Sequence, residues 1–358
     1  METWTVKRML DWMEGYLADH GDEQPKASAQ WLVSDALDLS KLQLYLDLER
    51  PLGPSELDLL RDYVKRRAQG EPLQYITGKT FFRHIEVAVE PGVLIPRPET
   101  EVLVSEVLSH LPRSRQELEW VSGAQGQVDG KAVSIDSESF AEDAKGAPDT
   151  TEGAGEVFHQ TKDVQGISDQ VQDSAQPVEP AGRPEMLALP QYARIAEIGC
   201  GSGCIACSLA YENPDVEVFC TDISPVAVEL TLRNAESVNV KDRVHAIEGD
   251  LASGLDGIFD VVVSNPPYIP TELIESIPDE VASFEPRIAL DGGTDGLDVF
   301  RRIADWAMTS LSEGGLLACE LHEDSLSEAS RIVEAAGFRN IRVVKDLAGR
   351  DRILTAVR

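Results

Sequence analysis

Three glycines at alternating positions are the first feature of the sequence that could do chemistry. They lie in the run Ala196–Gly203, where a strand-like segment gives way to a helix-like one. Glycine lets a backbone turn tightly and approach a ligand closely, and ligands of open α/β sheets bind at such strand ends. The spacing Gly-x-Gly-x-Gly suits a nucleoside with an amino-acid tail better than a pyrophosphate. The residues expected to contact this ligand are Gly199, Cys200, Gly201, Ser202 and Gly203.

Two acidic residues follow at the ends of the next two predicted strands. Asp222 lies 23 residues after Gly199, where a carboxylate can bind both hydroxyls of a ribose. Taken alone, Asp222 could equally be a helix N-cap, because Ser224 and a proline follow it. Asp250 can accept a hydrogen bond from an adenine amino group while Leu251 packs on the ring. Together these features predict that the chain binds S-adenosylmethionine as co-substrate, without a metal.

The run Asn265-Pro266-Pro267-Tyr268 closes the fourth predicted strand, which is apolar and expected to be buried. Consecutive prolines stop the strand ladder and stiffen the backbone. An amide nitrogen is a poor nucleophile, so two fixed oxygens that accept its N–H groups would orient it for attack on a methyl group. We expect Asn265, Pro266 and Tyr268 to be catalytic and Asn265–Tyr268 to hold the acceptor, with Asn265 also contacting the cofactor. A proline-stiffened turn with a buried asparagine is the alternative.

Alternating strands and helices must position these residues. Strands are predicted at 193–198, 216–221, 244–247, 258–264, 315–320, 341–344 and 353–357, with helices near 203–211, 225–238, 296–312 and 324–336. This alternation predicts a mostly parallel sheet covered by helices on both faces. No helix separates the last two strands, so the final strand is expected to pair antiparallel at the edge of the sheet.

The first 79 residues read as a small bundle of amphipathic helices, either a structural cap or a partner-docking module. One predicted apolar stripe in it is Leu42, Tyr45 and Leu46. Residues 80–96 alternate like a β-hairpin and connect the bundle to a larger domain at 97–358. That domain is interrupted at about 114–188 by an acidic segment that is predicted to be disordered, because it holds too little apolar surface to offset its ordering entropy.

The composition favours some partners over others. The chain carries 63 acidic and 32 basic residues, a net charge of −31. Nucleic-acid binders gain affinity from basic side chains that neutralise phosphates, so we expect no direct nucleic-acid partner. The sequence has neither a bilayer-spanning apolar run nor a signal peptide, and its five cysteines form no disulfide framework. A cytoplasmic location without membrane contact is the expectation.

Several motifs together resemble the PrmC/HemK family. They are Glu71–Gly78, Leu94–Glu101, the glycine loop, Asn265–Tyr268 and Phe284–Pro286. The resemblance implies an enzyme that methylates the glutamine of the Gly-Gly-Gln motif in peptide-chain release factors, which would be its protein partners in translation termination. It also implies a class I S-adenosylmethionine-dependent methyltransferase fold, with a seven-stranded, mostly parallel sheet, behind an amino-terminal helical bundle.

The sequence departs from the family pattern at a few positions. Glu197 and Cys200 stand where the family usually has aspartate and threonine, and Arg83 replaces a common glycine of the connector. The acidic segment is the largest departure. If it covered the partner surface, it would put release-factor binding in doubt.

Three other functions compete with this interpretation. An adenine-N6 methyltransferase acting on DNA or RNA uses the same Asn-Pro-Pro-Tyr chemistry on a flipped base. The spacing of Cys200, Cys204 and Cys207 matches the iron–sulfur motif of radical S-adenosylmethionine enzymes, although small cysteines that pack in a helix explain it more simply. A non-catalytic binding factor on a methyltransferase scaffold is the third.

Overall fold

Helices build the amino-terminal part of the molecule. The computed structural model describes residues 3–111 and 193–358, so the predicted acidic segment at about 114–188 lies outside the described residues. Apolar residues of the first two helices, including Met13, Leu17 and Leu32, form one core with Leu60 of the fourth. The helices are α1 (Val6–Asp19), α2 (Pro25–Leu37), α3 (Lys41–Leu46), α4 (Pro54–Arg67) and α5 (Leu73–Thr77).

The predicted stripe of the third helix is wrong. Leu42, Tyr45 and Leu46 are 70%, 48% and 74% exposed, whereas Leu44 is fully buried. At 3.6 residues per turn the first three share one face of α3 and Leu44 lies on the opposite face. A helix of six residues buries only one of these faces, and here it is the one with fewer apolar residues.

A β-hairpin connects the bundle to the following helix. Strands β1 (Lys79–Phe82) and β2 (Ile85–Ala88) pair antiparallel, and α6 (Thr100–His110) follows. Arg83, in the hairpin turn, has a φ of 51°, which costs a side chain roughly 1–2 kcal/mol that glycine avoids. Its guanidinium forms a two-point ion pair with Glu212, at 2.6 and 2.7 Å, and donates to the carbonyl of Glu101. This mostly buried ion pair offsets the backbone strain.

The remaining elements form the predicted sheet with helices on both faces, which confirms the class I methyltransferase fold. The strand order is β5-β4-β3-β6-β7-β9-β8. The final strand pairs antiparallel as predicted, but it lies between β7 and β8 instead of at the edge. The strands are β3 (Ala193–Ile198), β4 (Val216–Asp222), β5 (Val244–Glu248), β6 (Phe259–Ser264), β7 (Leu311–Glu320), β8 (Arg339–Lys345) and β9 (Asp351–Val357); the helices are α7 (Cys204–Glu212), α8 (Pro225–Ser237), α9 (Asp279–Phe284), α10 (Asp298–Ser310) and α11 (Leu326–Ala336).

The central strand β6 is buried along its whole length. Val261 and Val263 pack in the core on one face of the sheet, and Phe259 and Val262 pack in the core on the other. The chain order reverses at β3, which has β4 on one side and β6 on the other. Such a switch point opens a crevice at the carboxyl ends of the strands. Within residues 3–111 and 193–358, no helix is both long and apolar enough to cross a bilayer.

Candidate active site

The loop after β3 adopts a conformation that favours glycine. Gly199, Gly201 and Gly203 have φ angles of 76°, 55° and 75°. A methyl group on Gly203 would lie 2.8 Å from the side chain of Thr231, so this glycine allows the loop to pack closely on α8. A methyl group on Gly199 would meet no atom within 4 Å. Gly199 therefore leaves open space beside the backbone, whereas Gly203 packs against Thr231 of α8.

Asp222 ties the glycine loop to the second strand. Its Oδ2 accepts a hydrogen bond from the backbone N–H of Gly201, and its Oδ1 accepts one from the N–H of Ser224, both at 2.9 Å. The helix N-cap is Ser224, whose hydroxyl accepts from Ala227. The N-cap interpretation of Asp222 is therefore wrong. A carboxylate has about four lone-pair directions, so two remain for hydroxyl groups of a ligand.

Asp250 and Leu251 follow β5 at the next strand end. Leu251 has a φ of 55°, which turns the chain sharply after Asp250. The Asp250 carboxylate pairs with Arg302 at 2.7 Å, and this hydrogen bond lowers the pKa of Asp250. Both side chains are more than half exposed, so the pair is worth at most about 1 kcal/mol.

A cavity of about 310 Å³ lies over the ends of β3, β4 and β6. Its chemistry fits the predicted co-substrate: Asp222 and Asp250 offer acceptors for hydroxyl and amino groups, and Ile223 and Val299 offer apolar surface for a purine. Gly203 is the one predicted cofactor residue that does not line it. The others do, namely Gly199, Cys200, Gly201, Ser202, Asp222, Asp250, Leu251 and Asn265.

The backbone of the acceptor motif is tightly packed where it follows the end of β6. The Ser264 hydroxyl donates to the carbonyl of Ile198 at 2.6 Å, which fixes β6 to the end of β3. Two glycines then pack against the backbone of the motif. A methyl group on Gly292 would lie 2.7 Å from the Pro267 carbonyl oxygen, and one on Gly296 would lie 2.3 Å from that of Tyr268. Sequence reasoning missed these glycines, which follow the motif by about 25 residues.

Asn265 lies where two cavities meet. A smaller cavity of about 100 Å³ is lined by Asn265 and Tyr268, whereas Pro266 and Pro267 line the larger one. The residues that line both cavities are Leu94, Arg97, Asn265 and Ala289. All four predicted acceptor residues thus line one or both of these cavities.

Tyr268 is held by its hydroxyl as well as by packing. The phenol donates to Oε1 of Glu320 at 3.4 Å. Burial and the nearby Glu320 carboxylate raise the pKa of Tyr268, so the phenol stays protonated throughout the physiological range. The ring packs in the core with β6 and β7 and lines the smaller cavity. Tyr268 therefore supplies a neutral aromatic wall and no proton acceptor.

Three segments that carry the family resemblance pack together beside the site. The Tyr75 hydroxyl donates to the Val93 carbonyl at 2.6 Å. Arg97 forms an ion pair with Glu285, which also accepts from the N–H of Ile95 at 3.4 Å. Burial raises the pKa of Glu285 even though Arg97 opposes the shift. The sequence assigned no site role to residues 92–97, yet they line the larger cavity. The available signal was that residues 94–97 belong to the run Leu94–Glu101, which carries the family resemblance.

The three cysteines after β3 belong to the core on one face of the sheet. Burial raises the pKa of Cys204 and Cys207, so their thiols are neutral, whereas metal ligation needs thiolates. In the part of the chain that the structure describes, no group of three His, Cys, Asp or Glu side chains is arranged to hold a metal ion. The geometry favours the helix-packing interpretation of Cys204 and Cys207, and Cys200 is buried in the loop before α7. Glu197 is also buried, and desolvation raises its pKa well above the usual value.

Comparison with known proteins adds a separate line of evidence. Residues 8–78 match the model of the PrmC N-terminal domain, and residues 184–276 match that of the methyltransferase small domain. The release factor glutamine methyltransferase of Geobacter sulfurreducens is 34% identical over 354 residues, which cover 99% of this chain and 96% of the relative. The enzyme of the same name from Moorella thermoacetica is 33% identical and covers 99% of both chains. This chain therefore belongs to the release factor glutamine methyltransferase family.

Proposed function

We propose that this protein transfers a methyl group from S-adenosylmethionine to the side-chain amide nitrogen of the glutamine in the Gly-Gly-Gln motif of peptide-chain release factors. The observation that carries the proposal is the position of Asn265, which lines both cavities. The relatives of this chain are named release factor glutamine methyltransferases. The compartment we assign to the reaction is the cytoplasm, where release factors act. The adenine alternative gains no comparable support.

The larger cavity is the proposed site of the co-substrate, which supplies an electrophilic methyl group on a sulfonium. Gly199 leaves space for close approach, and Asp222 offers its free lone pairs to the ribose hydroxyls. Leu251 and Ile223 flank the purine, and Asp250 accepts from its amino group. Each of these residues lines the cavity. Their shared effect is to fix where the methyl group points.

The acceptor amide enters through the smaller cavity and meets two oxygens. The Nδ2 of Asn265 donates to Thr100 at 3.1 Å, so Oδ1 is the atom left to accept an N–H of the glutamine. The carbonyl of Pro266 takes the second N–H, and no backbone N–H of Pro266 or Pro267 competes for it. Tyr268 stacks on the planar amide. Transfer forms the new N–C bond, breaks the S–C bond and releases the amide proton to solvent.

The amino-terminal bundle is the proposed docking surface for the release factor. Leu42, Tyr45 and Leu46 form an exposed apolar face on α3, and the acidic chain suits a partner that presents basic residues. Contiguous exposed apolar patches mark interaction sites, whereas single exposed apolar side chains are ordinary. These three side chains share one face of α3 and so form a contiguous patch.

Mass spectrometry of the acceptor tests the proposal directly. The purified protein, S-adenosylmethionine and a release factor are incubated together, and the glutamine-containing peptide is expected to gain one methyl group. A release factor with that glutamine replaced by alanine serves as control, and adenine-containing DNA and RNA are incubated in parallel. Methylation of nucleic acid alone would overturn the proposal.

A further inference from the structure

A buried carboxylate lies directly behind the acceptor motif and takes no part in the chemistry above. Glu320 ends β7 and is 1% exposed. Its neighbour Cys319 is in register with Ser264 of β6, so Glu320 lies beside the point where Asn265 leaves the sheet. An ionised carboxylate in the interior is costly unless hydrogen bonds satisfy it. Its partners are therefore informative.

Thr100 connects Glu320 to the acceptor motif. This residue begins α6 and is 2% exposed. The Oγ1 hydroxyl of Thr100 donates to Oε2 of Glu320 at 2.7 Å. The same Oγ1 atom accepts a hydrogen bond from Nδ2 of Asn265 at 3.1 Å. Tyr268 donates to the other carboxylate oxygen at 3.4 Å. Two of the four acceptor residues are thus bonded, directly or through one hydroxyl, to a single carboxylate.

The direction of each hydrogen bond follows from the number of protons available. A hydroxyl has one proton and two lone pairs. Because Thr100 gives its proton to Glu320, its oxygen can only accept from Asn265. The NH2 group of Asn265 must then face Thr100, and Oδ1 must face the cavities. Without the carboxylate, Thr100 could donate to Oδ1 instead, and the reversed amide would present N–H groups to the N–H groups of the acceptor.

We propose that Glu320 is a positioning residue that sets the orientation of the Asn265 amide through the hydroxyl of Thr100. This arrangement makes the site select a planar acceptor that carries N–H donors. The inference rests on the proposed function of Asn265 and deepens it by naming what keeps the accepting oxygen in place.

Substitutions at Thr100 test the proposal with a matched control. Thr100→Val removes the hydroxyl at nearly constant volume and is expected to lower kcat on the order of 100-fold, the cost of misplacing a reacting group by about 1 Å. Thr100→Ser keeps the hydroxyl and is expected to restore most of the lost turnover. Thr355 supplies the control: it is 1% exposed, and its hydroxyl has no hydrogen-bond partner among the described residues. Thr355→Val is expected to keep wild-type kcat.

Calorimetric titration with S-adenosylmethionine separates positioning from a structural defect. Thr100→Val is expected to keep the wild-type Kd for the co-substrate. In NMR spectra of Thr100→Val, the side-chain amide resonances of Asn265 are expected to shift from their wild-type positions, and in Thr100→Ser they are expected to lie at those positions again. Wild-type kcat in Thr100→Val, an equal loss in Thr355→Val, or a loss of co-substrate binding that matches the loss of kcat would each overturn the inference. If the wild-type protein leaves release factors unmethylated, the proposed function itself fails instead.

Discussion

The two halves of the active site are encoded differently. On the cofactor side, the proposed polar contacts lie at strand ends: the glycine loop follows β3, Asp222 ends β4, and Asp250 follows β5. On the acceptor side, Asn265 also follows a strand, but the bonds that orient it come from Thr100, 165 positions earlier, and from Glu320 beyond β6. The cofactor half is thus specified mainly by local backbone geometry, and the acceptor half by side chains brought together through the fold.

Replacing Asn265 is the strongest way to test this division. Asn265→Ala removes the oxygen that we propose accepts the glutamine N–H, and kcat is expected to fall about 100- to 1000-fold, as when one oriented group that stabilises the transition state is lost. The Kd for S-adenosylmethionine is expected to change far less, because seven other predicted residues still line the cavity. Steady-state kinetics and calorimetry measure the two quantities. Wild-type turnover in this variant would show that the assigned role is wrong.

Asp222 should give the opposite pattern. Asp222→Asn keeps the shape of the side chain but leaves one oxygen to serve Gly201, Ser224 and the ribose. Hydrogen bonds to charged groups contribute about 1.5–3 kcal/mol, so the Kd for S-adenosylmethionine is expected to rise roughly 10- to 100-fold, while kcat at saturation stays close to wild type. An equal loss of kcat would remove the distinction between the halves.

This division also explains what the sequence could predict. The sequence proposes the glycine loop, Asp222, Asp250 and Asn265 because a strand end, a turn residue and a polar side chain occur together within a few positions, and the structure places these residues around one cavity. Thr100 lies in the run Leu94–Glu101 and Glu320 ends the predicted strand at 315–320, but nothing in the sequence indicates that these two side chains meet each other and Asn265. The buried face of α3 was predicted wrongly for a related reason. Packing against the other helices, not the count of apolar residues, decides that Leu44 is buried while Leu42 and Leu46 are exposed.

The Glu320 carboxylate gives the acceptor half a pH dependence. Burial raises the pKa of Glu320 to about 7; Glu99 adds to the shift, while Thr100, Arg352 and Tyr268 oppose it. The ionised form keeps both oxygens as acceptors, whereas the protonated form can offer its proton to Thr100 and free the Thr100 hydroxyl to donate to Asn265. The expected kcat therefore rises with pH and reaches half of its maximum near pH 7. Glu320→Gln is expected to abolish this part of the pH profile, because the amide does not titrate.

The free energy of unfolding should fall as pH rises, in the direction opposite to kcat. The folded pKa of Glu320 lies above the ordinary value of 4.5, so between these values the folded state binds more protons than the unfolded one. The contribution of Glu320 to the free energy of unfolding is present at low pH and declines as pH rises from about 4.5 to about 7. Urea titrations of wild type and Glu320→Gln across this window measure it. A pH-independent difference between the two proteins would contradict the assignment.

Asp250 should show the smallest effect on the cofactor side, because its carboxylate already has a partner. Its pair with Arg302 would compete with the adenine amino group that we propose it binds, and both side chains are more than half exposed. Asp250→Ala is therefore expected to raise the Kd for S-adenosylmethionine only about 2- to 5-fold, within the range of about 1 kcal/mol for exposed polar pairs. Arg302→Ala frees the carboxylate and is expected to lower the Kd slightly. Calorimetry on Asp250→Ala and Arg302→Ala separates competition from orientation. If Asp250→Ala weakened binding of S-adenosylmethionine as much as Asp222→Asn does, Arg302 would be orienting the carboxylate toward the adenine. Arg302→Ala would then weaken binding too.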